Sequence, residues 1–324
     1  MDYDLLVIGS GPGGYVAAIR ASQLNMKVAV VEKSEIGGIC LNWGCIPTKS
    51  LLKSAQVLDY INHAEDYGIR GGAEAKPDFG AIVARGRGVA EGMSKGIQYL
   101  FRKNNIELLK GFGALAGGSE VEVTSDDGSK KKYSAGNIII ATGARSKELP
   151  GLKQDGRKII GYREAMTLPV QPETMVVAGS GAIGSEFAYF YQTIGTSVTL
   201  VEFMPRIVPN EDEEVSRQLE RSFKKVKMRV LTGSSVESAD TSGDKCRLKI
   251  LTPRGYEELE TDIVLSAVGV ETNITGIGLE LAGVRTEKGK VVVDDYYRTN
   301  VPGIFAIGDI VHGPALAHVA SAEG

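Results

Sequence analysis

Residues 4–33 have the sequence DLLVIGSGPGGYVAAIRASQLNMKVAVVEK, and residues 174–203 have the sequence TMVVAGSGAIGSEFAYFYQTIGTSVTLVEF. The two stretches align without gaps, since residue 174 falls on residue 4 at an offset of 170 residues. Each predicts a strand, a glycine turn, an amphipathic helix, a second strand and a final acidic residue. The runs LLVI and MVVA lack polar alternation, which is typical of strands covered on both faces. The chain is therefore predicted to contain the same α/β element twice.

Three glycines and one acidic residue occupy equivalent positions in the two copies, namely Gly9, Gly11, Gly14 and Glu32 in the first and Gly179, Gly181, Gly184 and Glu202 in the second. The first glycine permits a tight turn, the second lets a pyrophosphate approach the backbone, and the third lets helix and strand pack closely. The helix N-terminus offers unpaired N–H groups to the phosphates, and the acid accepts hydrogen bonds from a ribose diol. This pattern predicts two Rossmann-like dinucleotide-binding domains.

The residues after Glu202 indicate which nicotinamide cofactor the second copy prefers. A carboxylate at this position repels the 2′-phosphate of NADP, which usually requires a nearby arginine. Phe203 and Met204 come next in the sequence, and we expect Arg206 to cap or pair with the acidic run Glu211–Glu214. The second copy is therefore predicted to bind NAD in preference to NADP.

Composition excludes several classes of protein. The 324 residues are 43% hydrophobic and 24% charged, with a formal net charge of −3, so nothing in the charge balance favours nucleic acid or a membrane surface. No apolar run is long enough to span a bilayer, and because the sequence is core-like by Leu5 we expect no targeting peptide before the first strand. Three cysteines do not make a disulfide scaffold. We expect a bacterial cytoplasmic location, with the mitochondrial matrix after processing as the alternative.

The segments outside the two copies predict how the chain is divided. Helices are expected over 50–68 and 81–104, with a Gly/Pro loop over 71–80 between them. A strand meander follows, with a hairpin turn at Asp127-Gly128. Buried strands followed by glycine turns end the first unit near 148 and the second near 273. The expected domains are 1–148, 149–273 and a return segment, 274–324, that completes the first.

The last ten residues, ALAHVASAEG, predict the opening turns of a helix whose apolar face needs a partner. We therefore expect the chain to be part of a longer protein, with a further C-terminal domain that is absent from it.

Two of the three cysteines, Cys40 and Cys45, lie within ICLNWGCIPTKS, residues 39–50. A zinc site is disfavoured, because Cys246 and the three histidines offer no second ligand pair. A structural disulfide closing so short a segment would stabilise the fold little. The pair follows Gly37-Gly38 and opens a predicted helix, whose N-terminus favours thiolate. A redox pair is therefore the favoured interpretation.

Distortion of the first helical turn, which Gly44 and Pro47 make plausible, would bring the two cysteines near enough to bridge. Lys49 comes four residues after Cys45 and lies on the same helix face. Cys246 lies in GDKCRLKI, an alternation typical of a strand, and is expected to be a small packed residue.

The motif GGICLNWGCIPTK, together with the two glycine fingerprints, IIIATG and IFAIGDI, resembles the FAD-dependent pyridine nucleotide-disulfide oxidoreductase family, class I. The resemblance covers residues 2–324, and the cysteine motif is highly specific. It implies three-layer ββα domains for FAD and NAD, with a C-terminal dimerisation domain absent from this chain. Within the family, the motif is most similar to members that oxidise protein-bound dihydrolipoamide.

The resemblance also implies site residues. Catalytic residues would be Cys40, Cys45, Lys49 and Glu186, with Lys49 and Glu186 paired beside flavin N5. FAD would be bound by Gly9, Gly11, Gly14, Glu32, Lys33, Gly38, Lys49, Gly113, Thr142, Gly143, Asp309 and Ala317. Among these, Asp309 would bind the ribitol, and the backbone at Ala317 and His318 would face the flavin pyrimidine. NAD would be bound by Gly179, Gly181, Ile183, Gly184, Glu202, Val236 and Gly269. No metal site is implied.

The implied reaction begins when a dihydrolipoyl thiolate attacks Cys40 and Cys45 leaves as a thiolate; electrons then pass to flavin and to NAD. The implied partners are lipoyl domains of acyltransferases or of the glycine cleavage carrier protein, and a second copy in a homodimer. The family's His/Glu base lies in the C-terminal domain, and His63 and His312 have no carboxylate partner in register. We therefore expect this stretch alone to turn over lipoamide poorly.

Four alternatives remain. Glutathione reductase requires NADPH, which Glu202 and Phe203 disfavour, and the C-terminal thiols of mercuric reductase cannot be checked in this chain. A non-catalytic FAD module would not need Cys40, Cys45 and Lys49. A diaphorase would pass electrons from NADH without using the cysteine pair. A long-wavelength thiolate-to-flavin band after two-electron reduction separates it from a lipoamide enzyme.

Overall fold

The structure, a computed structural model, describes residues 1–71 and 75–324. It divides into two compact units, which are described separately below. Unit 1 comprises Met1–Cys45, Ala90–Arg145 and Glu271–Gly324, and unit 2 comprises Ile46–Val89 and Ser146–Val270. The loop predicted over 71–80 includes residues 72–74, which lie outside the described residues.

The strands, in chain order, are β1 (Tyr3–Ile8), β2 (Val28–Glu32), β3 (Glu107–Lys110), β4 (Phe112–Gly117), β5 (Glu120–Thr124), β6 (Lys130–Ile140), β7 (Ala144–Ser146), β8 (Ile159–Ile160), β9 (Thr174–Ala178), β10 (Ser197–Val201), β11 (Arg229–Leu231), β12 (Ser235–Asp240), β13 (Cys246–Thr252), β14 (Gly255–Thr261), β15 (Ile263–Ser266), β16 (Val270–Thr272), β17 (Thr286–Glu287), β18 (Lys290–Val291) and β19 (Ile304–Ala306). The α-helices are α1 (Pro12–Gln23), α2 (Gly38–Asn42), α3 (Cys45–Asn62), α4 (Phe79–Lys103), α5 (Tyr162–Ala165), α6 (Ala182–Thr193), α7 (Glu213–Lys225) and α8 (Ala317–Glu323). Two 3₁₀ helices cover Ala64–Tyr67 and Gly308–Ile310.

Unit 1 is built on a sheet with the strand order β3-β2-β1-β6-β5-β4, with β19 also paired to β6. The pairs β3-β2, β2-β1, β1-β6 and β6-β19 are parallel, whereas β4, β5 and β6 pair antiparallel. Alternate residues of β1 face opposite layers. Leu6 and Ile8 pack in a buried cluster with Leu115 and Val121 of the antiparallel layer, while Val7 lies against α1. The parallel sheet is thus covered on both faces.

Unit 2 repeats this arrangement. Its parallel sheet has the order β11-β10-β9-β15-β8, and β12, β13 and β14 form an antiparallel sheet. Val176 and Ala178 of β9 pack against Leu248 and Ile250 of β13 in one buried cluster. Cys246 is fully buried in the same cluster, and burial raises the pKa of its thiol. It is a packed core residue, as predicted.

The fold class is confirmed, because both predicted copies form parallel α/β sheets joined by a helix after the glycine turn. The hairpin turn at Asp127-Gly128 and the helix at the end of the chain are also confirmed. Part of the predicted strand meander is wrong. Glu107–Lys110 pairs parallel with β2 at the sheet edge instead of joining the antiparallel strands. A short apolar run does not show which partner a strand will find.

The helix predicted over 50–68 begins earlier, at Cys45, and its α-helical part ends at Asn62. A separate 3₁₀ turn follows, and Gly68 with φ +74° ends it. The helix predicted over 81–104 is α4, which spans Phe79–Lys103.

Substitution of Gly184 tests the packing of the glycine turn. A Cβ on Gly184 would overlap the Gly179 carbonyl, so Gly184→Ala is expected to lower the free energy of unfolding by about 1–3 kcal/mol. Gly96 is the control, because it is exposed in the interior of α4 with no atom near the Cβ position. Gly96→Ala should raise the free energy of unfolding by about 0.5–1 kcal/mol. Urea unfolding followed by circular dichroism measures both, and equal effects would contradict the packing argument.

Candidate nucleotide and dithiol sites

The first glycine turn, in unit 1, leaves open space where a phosphate would lie. Gly9 has φ +107°, its N–H donates to the Val31 carbonyl at 2.8 Å, and a Cβ there would overlap the Ala141 carbonyl. A Cβ on Gly14 would overlap the Gly9 carbonyl. At Gly11, by contrast, no atom lies within 4 Å of the Cβ position. The backbone at Gly11 caps α1 and is open to a ligand, so the residues present fit a pyrophosphate.

The acid of the first copy is held by the residue inside the glycine turn. Glu32 Oε2 accepts the Ser10 hydroxyl at 2.7 Å and the Ser10 N–H at 2.9 Å, and Oε1 accepts the Ser34 N–H at 2.8 Å. Lys33, which follows the acid, has its Nζ 5.8 Å from the centre of the Phe112 ring. The carboxylate therefore ends β2 in a fixed position beside the turn.

The second glycine turn, in unit 2, has the same geometry. Gly179 has φ +98°, and its N–H donates to the Val201 carbonyl at 2.8 Å. A Cβ on Gly184 would overlap the Gly179 carbonyl, and no atom lies within 4 Å of the Cβ position at Gly181. Unit 2 therefore presents the same open helix N-terminus as unit 1, and its residues fit a second dinucleotide.

The acid of the second copy, Glu202, is held in the same way. Its Oε2 accepts the Ser180 hydroxyl at 2.6 Å and the Ser180 N–H at 2.8 Å, while Oε1 accepts the Met204 N–H at 2.8 Å. The serines at 10 and 180 were missed by the sequence analysis, although both lie between the first two glycines at the 170-residue offset.

Arg206 corrects one expectation. It was predicted to cap or pair with the acidic run at 211–214, but its guanidinium donates to the Pro209 carbonyl at 3.1 Å. Asp212 caps α7 by itself, since its side chain accepts the Glu214 N–H at 2.8 Å. The Arg206 side chain therefore binds the backbone of the loop that it belongs to.

Three other predicted FAD-site residues lie near the ends of unit 1 strands. Gly113 packs against Ile8 and Val31, where a side chain would press on both. The Thr142-Gly143 turn follows β6, and Gly143 has φ +66°. Their part in FAD binding stays a prediction.

Asn273 holds the Thr142-Gly143 turn by hydrogen bonds, which the sequence analysis did not predict. Its side chain donates to the Thr142 carbonyl at 3.0 Å, and its N–H donates to the Gly143 carbonyl at 2.8 Å. The Thr142 hydroxyl donates to the Asn273 carbonyl at 2.8 Å. No local pattern signals this staple, because the two segments are 131 residues apart.

Asp309 lies in the 3₁₀ helix that follows β19 and is partly buried. Burial raises the pKa of its carboxyl, and the positive charge of Lys290 opposes this rise. Lys290 Nζ itself donates to the Val311 carbonyl at 2.7 Å. Ala317 begins α8, whose C-terminal end reaches back to this turn, since Glu323 Oε2 accepts the Gly308 N–H at 2.6 Å. Asp309 and the start of α8 thus belong to one small hydrogen-bonded group of elements.

The remaining predicted NAD-site residues lie in unit 2. Ile183 is half-buried in the first turn of α6. Val236, in β12, packs on the cluster between the two sheets. Gly269 follows β15, is exposed and has φ +108°. Ile183 and Gly269 follow adjacent strands of the parallel sheet, whereas Val236 belongs to the antiparallel layer.

The cysteine segment lies directly on the first glycine turn. Gly37 donates its N–H to the Ser10 carbonyl at 3.1 Å, and a Cβ on Gly38 would stand 2.7 Å from the Gly11 Cα. The helix α2, which carries Cys40, begins at Gly38. The thiol-bearing helix therefore starts in contact with the proposed pyrophosphate turn, and Gly37 and Gly38, with φ of +96° and +62°, make this approach sterically possible.

One prediction about this segment is wrong. Cys40 and Cys45 were expected to open a single helix, but α2 ends at Asn42 and α3 begins at Cys45, with a break at Trp43 and Gly44. A Cβ on Gly44 would stand 3.5 Å from the Cys40 Cα. The break folds the chain back, so that the residue before Cys45 packs against Cys40.

Tyr15 is a further site residue that the sequence analysis missed. Burial raises the pKa of its hydroxyl, and the neighbouring Cys40 and Cys45 raise it further. Both sulfurs therefore lie close enough to Tyr15 to act on it electrostatically. No sequence signal marks Tyr15, because the two copies differ at most positions of this helix and Ser185 is the equivalent residue of the second.

In unit 2, Lys49 on α3 and Glu186 on α6 form an ion pair with Nζ and Oε1 2.6 Å apart. Lys49 is 62% exposed and Glu186 is 30% exposed. An exposed pair of this kind contributes little to stability, about 0–1 kcal/mol. The pair is of interest because Lys49 lies one helical turn after Cys45 on α3.

His63 corrects another expectation. It was predicted to have no carboxylate in register, yet its Nδ1 lies 3.2 Å from Asp59 Oδ1, four residues earlier on α3. The ring is exposed, and hydrogen bonding to the Asp59 backbone, followed by the Asp59 charge, raises the pKa of His63. His312 and His318 are exposed. The pair was readable from the i, i+4 spacing, since the helix predicted over 50–68 contains both residues.

No cluster of three or more His, Cys, Asp or Glu residues suited to a metal ion occurs within residues 1–71 and 75–324. In the same two ranges, every helix is too short or too polar to cross a membrane.

We expect the pKa of His63 to depend on Asp59. In Asp59→Asn the imidazole should titrate at a lower pH than in the wild type, whereas Asp66→Asn, which removes a weaker contribution, should shift it less. Because the folded-state pKa is raised, the stabilisation is complete below the unfolded-state pKa and is lost as the pH rises through the folded-state pKa. NMR titration of the ring protons measures this. An unchanged midpoint in Asp59→Asn would show that the carboxylate has no role.

Comparison with known proteins agrees with these features. The family model described as "Pyridine nucleotide-disulphide oxidoreductase" matches residues 3–324. The chain is 44% identical to the dihydrolipoyl dehydrogenase of Rhizobium etli, covering 99% of this chain and 70% of that protein. It is 46% identical to the dihydrolipoyl dehydrogenase of Chlorobaculum tepidum, covering 99% and 68%.

Among solved structures, the chain resembles LpdA of Mycobacterium tuberculosis with a TM-score of 0.91 and 29% sequence identity, covering 98% of this chain and 70% of that one. The sequence and structural relatives agree with the paired glycine turns and the cysteine motif. The chain belongs to the pyridine nucleotide-disulphide oxidoreductase family.

Proposed function

We propose that the chain oxidises dihydrolipoamide to lipoamide through Cys40 and Cys45 and passes the electrons by way of FAD to NAD. The observation that carries this proposal is the contact between the start of α2 and the first glycine turn, where Gly38 approaches Gly11. This contact brings the helix that carries Cys40 to the backbone that would bind the nucleotide. The identity of 42–46% with proteins named dihydrolipoyl dehydrogenase supports the choice of substrate.

Two cofactors follow from the family, FAD at the first glycine turn and NAD at the second. The turn at Gly9–Gly14 and Glu32 would hold FAD, and the turn at Gly179–Gly184 and Glu202 would hold NAD. When bound, FAD supplies a two-electron acceptor for the dithiol and NAD supplies the final hydride acceptor. The chain itself supplies binding, orientation and the sulfur chemistry.

The sulfur chemistry needs only the two cysteines and the substrate dithiol. A substrate thiolate attacks the sulfur of Cys40 in the oxidised pair, which forms a mixed disulfide and releases Cys45 as a thiolate. The second substrate sulfur then displaces Cys40, which closes the lipoamide disulfide and leaves both cysteines reduced. Two electrons and two protons thus leave the substrate, and the electrons enter the cysteine pair. Cys40 and Cys45 are both partly exposed, as exchange with an external thiol requires.

The groups around the pair set its charge. The N-terminal end of α3 begins at Cys45, and a helix N-terminus favours a thiolate there. Burial, followed by the neighbouring Cys40 and Cys45, raises the pKa of the Tyr15 hydroxyl, so this group keeps its proton near the pair. Lys49 lies one turn after Cys45 on α3, and its ion pair with Glu186 orients the ammonium group.

His63 is a poor candidate for the base that deprotonates the substrate. Its ring is exposed and paired to Asp59, which favours the protonated form instead of the neutral base.

We further propose the partners that the substrate implies. Dihydrolipoamide is carried on lipoyl domains, so the finer assignment is to the lipoyl domains of acyltransferases in 2-oxo acid dehydrogenase complexes or to the glycine cleavage carrier protein. We also propose that the protein works as a homodimer. The similarity to dihydrolipoyl dehydrogenases supports both assignments.

Removal of either site cysteine should abolish electron entry from the dithiol. One equivalent of dihydrolipoamide at alkaline pH, where the substrate thiolate forms without a base, should produce the long-wavelength thiolate-to-flavin absorbance band in the wild-type chain. Cys40→Ala and Cys45→Ala should lose this response, on the order of 10³-fold or more in rate. NADH should still reduce the FAD of the wild type and of both variants, since hydride transfer from NADH does not use the cysteine pair.

The third cysteine provides the matched control. Cys246→Ala removes a buried thiol in unit 2 and should respond to dihydrolipoamide as the wild type does. If dihydrolipoamide reduces the FAD of the Cys40 and Cys45 variants as fast as it reduces the wild-type chain, the cysteine pair is not used and the proposed function is wrong.

The ion pair of Lys49 should matter for rate and not for stability. Lys49→Gln or Glu186→Gln is expected to slow FAD reduction on the order of 10²-fold, as the loss of one fixed charge near a reacting centre does. Unfolding free energy should change by less than about 1 kcal/mol, because the pair is exposed. Stopped-flow absorbance and urea unfolding measure the two effects.

Lys95, which pairs with Glu91 on an exposed face of α4 at 2.5 Å, provides the control variant Lys95→Gln. It should change neither quantity appreciably. Equal rates for Lys49→Gln and Lys95→Gln would remove Lys49 from the site.

A further inference from the structure

The acid of the second glycine turn has little freedom. Glu202 is 6% exposed, and three donors already bind its carboxylate: the Ser180 hydroxyl, the Ser180 N–H and the Met204 N–H. A carboxylate has about four lone-pair directions, two on each oxygen. Oε2 takes both donors from Ser180, and Oε1 takes the donor from Met204. One direction on Oε1 is therefore left, enough for one ribose hydroxyl.

Ser180 has a second contact that links the turn to the next loop. The β10–α7 loop, residues 202–212, returns to Ser180 through the Val208 N–H, which lies 3.1 Å from the Ser180 hydroxyl oxygen and 3.2 Å from its carbonyl. Val208 has φ +38°, a conformation that a β-branched residue adopts only under strain. The same hydroxyl thus donates to Glu202 and accepts from the strained point of the loop.

The first copy contains the same arrangement, which argues against a chance contact. The Ser10 hydroxyl donates to Glu32 Oε2 at 2.7 Å, and Gly37 donates its N–H to the Ser10 hydroxyl oxygen at 3.2 Å. Gly37 also has a positive φ, +96°, which glycine adopts without strain. The bonded loop residue is a strained valine in the second copy and a relaxed glycine in the first.

We propose that Ser180 is a positioning residue that determines the preference of the second site for NAD over NADP. Its hydroxyl fixes Glu202 so that one lone pair faces the ribose, and it anchors the β10–α7 loop that carries Glu202 and Met204. A fixed carboxylate repels a 2′-phosphate, because its negative charge cannot turn away from the added negative charge of the phosphate. This role rests on the proposed function, since it assumes that the second turn binds a nicotinamide dinucleotide.

Without the hydroxyl, Glu202 keeps its two backbone donors but gains freedom at Oε2. A mobile carboxylate binds the ribose hydroxyl less well and can move from a 2′-phosphate. Ser180→Ala should therefore raise the Kd for NADH about tenfold, the effect of one hydrogen bond to a charged group. The ratio of the Kd values for NADPH and NADH should fall, since NADH loses more than NADPH.

The matched control is Ser216→Ala. Ser216 is fully buried like Ser180, and its hydroxyl donates to the Ile207 carbonyl of the same loop at 2.7 Å without touching Glu202. If Ser180 acts through the carboxylate, the control should leave the ratio of Kd values unchanged. If both variants lower the ratio equally, the effect is loop anchoring alone and the proposed role of Ser180 is wrong.

The experiment is calorimetric titration of the FAD-loaded chain, fully reduced beforehand with dithionite so that no hydride transfer contributes heat, with NADH and with NADPH, for the wild type, Ser180→Ala and Ser216→Ala. Amide hydrogen exchange at Val208 in the nucleotide-free protein gives a second readout that does not depend on activity, and it should be several-fold faster in Ser180→Ala. Should the alanine variant not fold, Ser180→Gly removes the same hydroxyl and serves as the second variant. Ser180→Thr, which keeps a hydroxyl, should recover most of the NADH preference.

The outcomes separate this proposal from the proposed function. Absence of NADH binding by the wild-type chain would overturn the proposed function. Wild-type NADH binding, with the same Kd ratio and the same Val208 exchange in the variant lacking the hydroxyl, would overturn the role of Ser180 alone.

Discussion

The approach of Gly14 to the Gly9 carbonyl, repeated by Gly184 and Gly179, is the contact on which the rest of the structure depends. Any side chain at the third glycine would overlap that carbonyl, so the helix can start only where glycine allows it. This fixes the N-terminal end of α1 or α6 above the sheet and leaves the second glycine open. A helix N-terminus facing open space is a ready anion site. Each nucleotide site therefore follows from one steric constraint.

The same constraint places the sulfur chemistry. The hydroxyl of Ser10, inside the first turn, donates to Glu32 and accepts the Gly37 N–H. The helix that carries Cys40 begins directly after Gly37. The acid, the turn and the cysteine helix are thus joined through one serine. A dithiol placed in this way does not need a loop of its own to reach a cofactor. Its position is set by the backbone that would bind the cofactor.

The sequence predicted the features that depend on short-range patterns. The glycine spacing and the unbroken apolar strands were sufficient to predict two parallel α/β sheets, with an acid at the end of the second strand in each copy. Features that depend on distant partners were not predictable. The parallel pairing of β3 depends on which edge was free, and the Asn273 staple joins residues 131 apart. The break between α2 and α3 depends on Gly44 packing against Cys40.

Comparison of the two copies shows how one turn serves two purposes. The turn, the serine and the acid are the same, and even the third donor is equivalent, Ser34 in one copy and Met204 in the other. The two copies differ in the residues around this shared arrangement. The first copy has Tyr15, whose pKa is raised by the neighbouring thiols, whereas the second copy has Ser185 at the equivalent position, with its hydroxyl donating to the Ser180 carbonyl at 2.8 Å.

The loop that returns to the serine differs as well. In the first copy the contact is made by Gly37, and in the second by Val208, one residue later than the strict equivalent, 207. The additional residue lengthens the loop, and a β-branched residue takes the positive φ that glycine takes in the first copy. A relaxed glycine lets the chain continue directly into the cysteine helix. A strained valine persists only where the surrounding bonds hold it, so the second loop depends on its serine more than the first loop does.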